Sequence, residues 1–163
     1  MGETKSSRKV IRAELDRKLN LSPPSRDLLE ELAINVSKTP DDADATFQYA
    51  FALSRSLQAS ELRYSVSMLD SLVSNGYQHQ VDCMYGAATA LYLLGEYEQA
   101  RSRCEAILRT QPQSRVAKEL HLASMEAQEE REIKRMKNTA AASVGVAAAI
   151  GVAAGIASLL LKK

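Results

Sequence analysis

The chain has 163 residues, 25% of them charged, 45% hydrophobic and 5% aromatic, and a formal net charge of +1. That is the length of one domain, too hydrophobic and too nearly neutral for a disordered chain. Its two cysteines, Cys83 and Cys104, do not make a disulfide scaffold, and a balance near zero gives no support to nucleic-acid binding, which needs a strongly basic face.

The pattern is helical nearly throughout. No segment sustains the alternation of a strand, and Pro23, Pro24, Pro40 and Pro112 all fall between the apolar periodic stretches. The first segment, residues 6–20, sets Val10, Ile11, Leu15 and Leu19 at helical spacing among Arg8, Lys9, Arg12, Arg17 and Lys18, which predicts a short basic amphipathic helix. A mitochondrial presequence is the rival reading, opposed by Glu3, Glu14 and Asp16. Ser22-Pro23-Pro24 then breaks the chain, so residues 1–24 are expected to form a semi-detached basic arm.

Six helices are expected over residues 25–138. Ser25 caps one carrying Leu28, Leu29, Leu32, Ile34 and Val36. Thr39-Pro40-Asp41-Asp42 reads as the next start, with Thr39 as N-cap, proline in the first helical position and acids in the first turn. A third runs from about Glu61 to Ser74 and ends at Asn75-Gly76, a fourth from Gln80 to Leu94, a fifth from Glu96 to Thr110, and a sixth from Ser114 toward Lys137.

With Val81 as position one of a 34-residue helix–turn–helix unit, Ala88 takes the small eighth position and Ala100 the small twentieth. Leu91, Ile107 and Pro112 also fall in place, and Gly95-Glu96-Tyr97 makes the turn. This matches a tetratricopeptide repeat, and Ala43–Gly76 reads as a blurred copy with Ala50 at position eight and Leu53 at eleven. The expected fold class is all-α: a six-helix bundle with two tetratricopeptide-like repeats, its outer helices serving as caps, plus one C-terminal transmembrane helix.

All eight aromatics lie between Phe47 and Tyr97. Repeat geometry places Asp82, Tyr85, Thr89, Tyr92 and Leu93 of the second repeat, and Asp44, Phe47, Phe51, Ser54 and Arg55 of the first, on the concave face. The candidate partner-binding residues are therefore Phe47, Phe51, Arg55, Tyr85, Thr89 and Tyr92, a groove suited to an apolar helix or extended peptide. About half of the aromatics are expected to be core. The Lys and Asn that hold a chaperone's C-terminal carboxylate are missing from these positions.

No catalytic constellation, phosphate loop or nucleophile elbow is present in the sequence, so no enzyme activity and no cofactor is expected. His79 and Cys83 are four apart, but no second pair completes a metal site.

Thr139–Leu161 is a run of 23 uncharged residues, of which 17 are Ala, Val, Ile or Leu. As a helix it would span about 35 Å, enough to cross a bilayer core with some tilt. Only Lys162 and Lys163 follow it and no signal peptide precedes it, so residues 139–161 are expected to be a tail anchor holding the N-terminal part in the cytosol. Arg135 and Lys137 before it and Lys162 and Lys163 after it form basic flanks, and a moderately apolar span of this kind suits the mitochondrial outer membrane or the peroxisome. Gly151 and Gly155 form a G-x-x-x-G, a face for self-association of membrane helices.

Taken in order, these parts resemble the mitochondrial fission protein 1 family. The residues that carry the likeness are Phe47-Gln48-Tyr49-Ala50-Phe51-Ala52-Leu53, Tyr92-Leu93-Leu94-Gly95-Glu96-Tyr97-Glu98-Gln99-Ala100, Gln111-Pro112-Gln113-Ser114, Ala117-Lys118-Glu119-Leu120 and the Gly/Ala-rich span with its Lys-Lys end. The chain departs from the family pattern at Phe51, where members often have Trp, at Ala90, where they often have Gly, and in its longer, more basic arm. The resemblance implies a membrane-anchored adaptor on the mitochondrial outer membrane and on peroxisomes. Its groove would recruit a dynamin-related GTPase or that GTPase's soluble adaptor, and its arm could fold over the groove. Two other readings compete: a tail-anchored co-chaperone or import receptor holding client peptides, and a protein whose basic arm lies on anionic lipid.

Overall fold

The computed structural model describes the backbone of residues 4–160 and the side chains of residues 4–143. Among the described residues seven helices follow one another: α1 Lys5–Asn20, α2 Arg26–Lys38, α3 Ala43–Leu53, α4 Ala59–Ser74, α5 Gln80–Leu93, α6 Tyr97–Thr110 and α7 Arg115–Leu160. Among the described residues there is no strand, as the all-α reading requires. The chain divides within α7, into a unit ending at Gln128 and a second beginning at Glu129.

In the first unit α3 packs on α4, α4 on α5 and α5 on α6, with α2 against α3. The two expected repeats are thus the α3–α4 and α5–α6 hairpins. Their small positions are where the backbones approach: Ala50, Ala88 and Ala100 are all fully buried. The blurred first repeat adds a polar clasp, because the buried Ser65 hydroxyl donates to the Ala50 carbonyl at 2.6 Å.

The connection between the repeats, from α4 to α5, and the turn of the second hairpin, from α5 to α6, are closed in the same way. Gly76 and Gly95 have φ of +75° and +78°, a left-handed conformation that favours glycine. After each, the helix ends by paired backbone bonds: Tyr77 N–H to Leu72 and Gly76 N–H to Val73, then Glu96 N–H to Leu91 and Gly95 N–H to Tyr92.

The start of α3 differs from expectation. Asp42, not Thr39, is the N-cap, and its carboxylate accepts from the Asp44 and Ala45 amides at 2.9 and 3.2 Å. Thr39 instead closes α2, donating its hydroxyl to the Asn35 carbonyl at 2.9 Å. A carboxylate at the helix N-terminus is a charged acceptor facing the positive end of the dipole, and it outcompetes the threonine.

The arm also differs. It was expected to be semi-detached, but Leu15 and Leu19 are buried, in one cluster with Ala88, Leu91, Tyr92, Ala100, Cys104, Leu120, Ala123 and Ala127. The first unit is therefore built from α1 to α6 and the part of α7 that ends at Gln128. The buried stripe of α7, Ala117, Leu120, Ala123, Ser124 and Ala127, has the three- and four-residue spacing of one helix face.

In the second unit, the side chains of the flanking residues Arg135 and Lys137 are exposed. Among the described residues no helix is long and apolar enough to cross a membrane. Most of the expected anchor, including Gly151 and Gly155, and the Lys162 and Lys163 end lie outside the residues whose side chains are described.

A Cβ at Gly86 would lie 2.9 Å from Leu69 Cδ1 and 2.9 Å from Phe51 Cδ2. Gly86→Val should lower unfolding free energy by about 1–3 kcal/mol through overpacking; Gly86→Ala should cost much less, because about 1 kcal/mol of helix propensity offsets part of the clash. Urea denaturation of both variants measures the difference.

Arg26 makes a two-pronged contact with Glu61, at 2.6 and 2.8 Å, tying α2 to α4, and Ser56 donates to the same carboxylate. The Arg26 bond, with smaller help from Ser56, holds the Glu61 carboxyl near 2, below its ordinary 4.5. A depressed carboxylate contributes stability that is present above pH 4.5 and fades as pH falls toward 2. Arg26→Ala should flatten the acid side of the stability profile in that window, read as the denaturation midpoint against pH.

Candidate partner-binding groove

The six residues expected on the concave face divide between two clusters. Phe47 belongs to the first, with Ala50, Leu69, Leu72, Cys83, Ala87 and Tyr77. Phe51 stacks on Phe47 with ring centroids 5.3 Å apart, and Arg55 lies over the Phe51 ring at 5.9 Å. Phe47, Phe51 and Arg55 are all half-buried, so each presents part of its surface outward.

Tyr85 and Tyr92 belong to the second cluster, the one that contains Leu15 and Leu19 of α1. Tyr92 is only 5% exposed and Thr89 only 2%, so neither is open to a partner in this arrangement. The Thr89 hydroxyl turns back to the Tyr85 carbonyl at 3.0 Å. Burial pushes the Tyr85 phenol up, against the opposing pull of the Arg55 charge. Arg55 thus acts on a ring of each repeat.

About half of the aromatics take part in the core, Tyr92 as a buried member and Phe47, Tyr77, Tyr85 and Tyr97 packed against the two clusters. Tyr92 alone of the eight is fully buried, Tyr64 is exposed, and the other six are half-buried. Alanines do the close packing between helices, which leaves the large rings at the edges of the core.

What covers Tyr92 is α1. The Tyr92 hydroxyl donates to Asp16 Oδ1 at 2.6 Å; burial first, then this bond to a carboxylate, raise the phenol well above its ordinary value. The basic residues of α1 meet acids of α7: Arg8 lies 3.7 Å from the buried Glu126, and Lys18 4.0 Å from Glu119. Positions 8, 11, 12, 15, 16 and 19 form one helix stripe; Val10 lies off it and is 61% exposed. The apolar half of this seat was legible in the periodicity of the arm. Asp16 and Arg8 were not, because nothing in a sequence shows which charge will face a buried hydroxyl or a buried acid.

Sequence reasoning also missed Tyr77 and His79. The Tyr77 ring lies 5.5 Å from Phe47 and 5.5 Å from His79, and its hydroxyl donates to Asp44 at 2.7 Å. The available signal was the Asn75-Gly76 turn: the residue after its glycine folds back on the helix it closes.

The cysteines have no place in this face. Cys83 and Cys104 are fully buried free thiols, and burial pushes them up to about 11 and about 12. They stay protonated at neutral pH, where a nucleophile or metal ligand must be a thiolate.

The seat of α1 gives a direct prediction. Tyr92→Phe removes a hydrogen bond to a charged acceptor, worth about 1.5–3 kcal/mol. Amide exchange along α1 should speed up at least about tenfold, while α4 and α5 keep their protection.

The comparisons agree with this architecture. Residues 81–133 match the family model described as the Fis1 C-terminal tetratricopeptide repeat. The chain is 35% identical over 132 residues to the mitochondrial fission 1 proteins of rat and of human, a match covering 80% of this chain and 76% of each relative. The solved structure of the fission protein Fis1 from Saccharomyces cerevisiae superposes with a TM-score of 0.62 at 18% identity, covering 82% of this chain and 98% of that one. Yeast Fis1 in complex with an Mdv1 fragment containing N-terminal extension and coiled-coil domains superposes with a TM-score of 0.60 at 21% identity, covering 69% and 90% of the two chains.

Proposed function

Since this chain belongs to the mitochondrial fission 1 protein family, we propose that it acts in mitochondrial fission as an adaptor held on the outer mitochondrial membrane. Residues 139–161 are its anchor, and the concave face of its two repeats recruits a soluble adaptor of a dynamin-related GTPase, or the GTPase itself. The observation that carries this reading is the half-buried aromatic face of Phe47, Phe51, Tyr77 and Tyr85 assembled from both repeats. The relative bound to an Mdv1 fragment supports a soluble partner of that kind. The same anchor would serve peroxisomes, and Gly151 and Gly155 would pair two copies in the bilayer.

The position of α1 adds a condition. Tyr92 becomes available only when α1 leaves, so binding across the whole groove carries the cost of undocking it. A weak net contact is sufficient on a membrane, where anchoring raises the effective concentration of bound partners.

The test is quantitative recruitment of the adaptor and GTPase, each identified by mass spectrometry, to mitochondria carrying the full chain. Phe51→Ala should cut recruitment at least fivefold with the chain still on the organelle. The double change Leu15→Asp and Leu19→Asp, which unseats α1, should raise it. Recruitment unmoved by all of these would overturn the groove reading, and binding of heat-shock C-termini or presequences in its place would favour a co-chaperone or import receptor.

A further inference from the structure

The end of the concave face away from α1 holds a feature that α1 docking does not involve. Asp44, Phe47, Gln48, Tyr77, Gln78, His79 and Asp82 line an open depression of about 380 Å³. Its floor is a triad of rings, with Phe47, Tyr77 and His79 centroids 5.5 to 6.2 Å apart. Rings so close leave no room for a group between them, so a ligand must lie on top of the triad. Two carboxylates stand at the rim, Asp44 in the first turn of α3 and Asp82 in the first turn of α5.

The charge is one-sided. Among the described residues, no lysine or arginine lines the depression. One oxygen of Asp44 accepts from Tyr77, at 2.7 Å, and the Asp82 side chain, with one oxygen 3.8 Å from His79 Nδ1, is still 63% exposed. The next ring along the face is already occupied, because Arg55 covers Phe51 at 5.9 Å. A purely apolar ligand on the triad would strip water from Asp44 and Asp82 and return nothing to them. A small compact cation would leave the ring faces unused. A guanidinium uses both: its flat face stacks on aromatic rings and its N–H edge meets a carboxylate.

We infer that this depression is an arginine subsite, in which a partner's guanidinium lies over Phe47, Tyr77 and His79 and is held by Asp44 and Asp82. It is open while α1 is seated, since none of its lining residues belongs to the cluster that α1 joins. A partner would thus engage the arginine subsite first and the α1-covered half afterwards. The inference rests on the adaptor reading only for the identity of the molecule that carries the arginine.

The test uses the full chain in detergent micelles with labelled aromatic rings, titrated with N-acetyl-arginine methylamide. Saturable shifts of the Phe47, Tyr77 and His79 ring signals are expected, with a dissociation constant on the order of millimolar for so small a probe. The neutral isostere N-acetyl-citrulline methylamide should bind at least fivefold more weakly. Asp44→Asn with Asp82→Asn should weaken the arginine probe at least fivefold, and Asn at 44 keeps an acceptor for Tyr77, so the fold is retained. Equal binding of citrulline, or binding unaffected by the double change, overturns the subsite. The same double variant in the recruitment assay separates the two ideas: recruitment at the unaltered level sinks the subsite and spares the adaptor reading. Ring shifts specific for arginine, in a chain that recruits no fission protein, spare the subsite and sink the adaptor reading.

Discussion

The arrangement depends on α5 being buried on all sides. Residues 86–92 are seven consecutive buried positions, nearly two full turns, so no face of that stretch meets solvent. A helix in that state needs neighbours all round: α4, α6 and α3 pack on it, and the cluster around Ala88 and Tyr92 draws in α7 and α1. Small residues make this possible. Gly86, Ala87, Ala88 and Ala90 let several helices approach one axis, and large side chains there would push them apart.

That constraint also makes the groove. Helices of 11 to 16 residues are marginal by themselves, so each hairpin must stack on the next, and stacking hairpins with small inner positions curves the surface. The rings displaced from the helix crossings collect on the concave side. There they form two regions of different character. One is covered by an amphipathic helix whose leucines, aspartate and arginine match the surface beneath. The other is open, ringed by acids and floored by aromatic rings.

Ionic contacts play a secondary part, chiefly of orientation. Arg26 with Glu61, Arg63 with Glu96 and Arg103 with Asp70 each join residues 33 to 35 apart in the chain. That spacing is close to one repeat, and these pairs fix how successive elements are set against one another more than they add stability, since exposed pairs contribute little.

Much of the architecture was legible in the sequence because it follows from local patterns. Apolar spacing marked every helix, Gly76 and Gly95 marked the turns, and the alanines at positions 50, 88 and 100 marked the crossings. Each of these signals acts over a few residues, where backbone geometry leaves little choice. The contents of the groove were not legible in the same way. That Tyr92 faces Asp16, that Arg8 faces Glu126, and that Tyr77 and His79 join Phe47 depend on residues as far as 118 positions apart being brought together. Local patterning alone settles which surfaces are apolar and where the chain turns. Which of those surfaces α1 covers and which stays open is settled in three dimensions, because the seat of α1 is selected by charge and hydrogen-bond complementarity with residues far away in the chain.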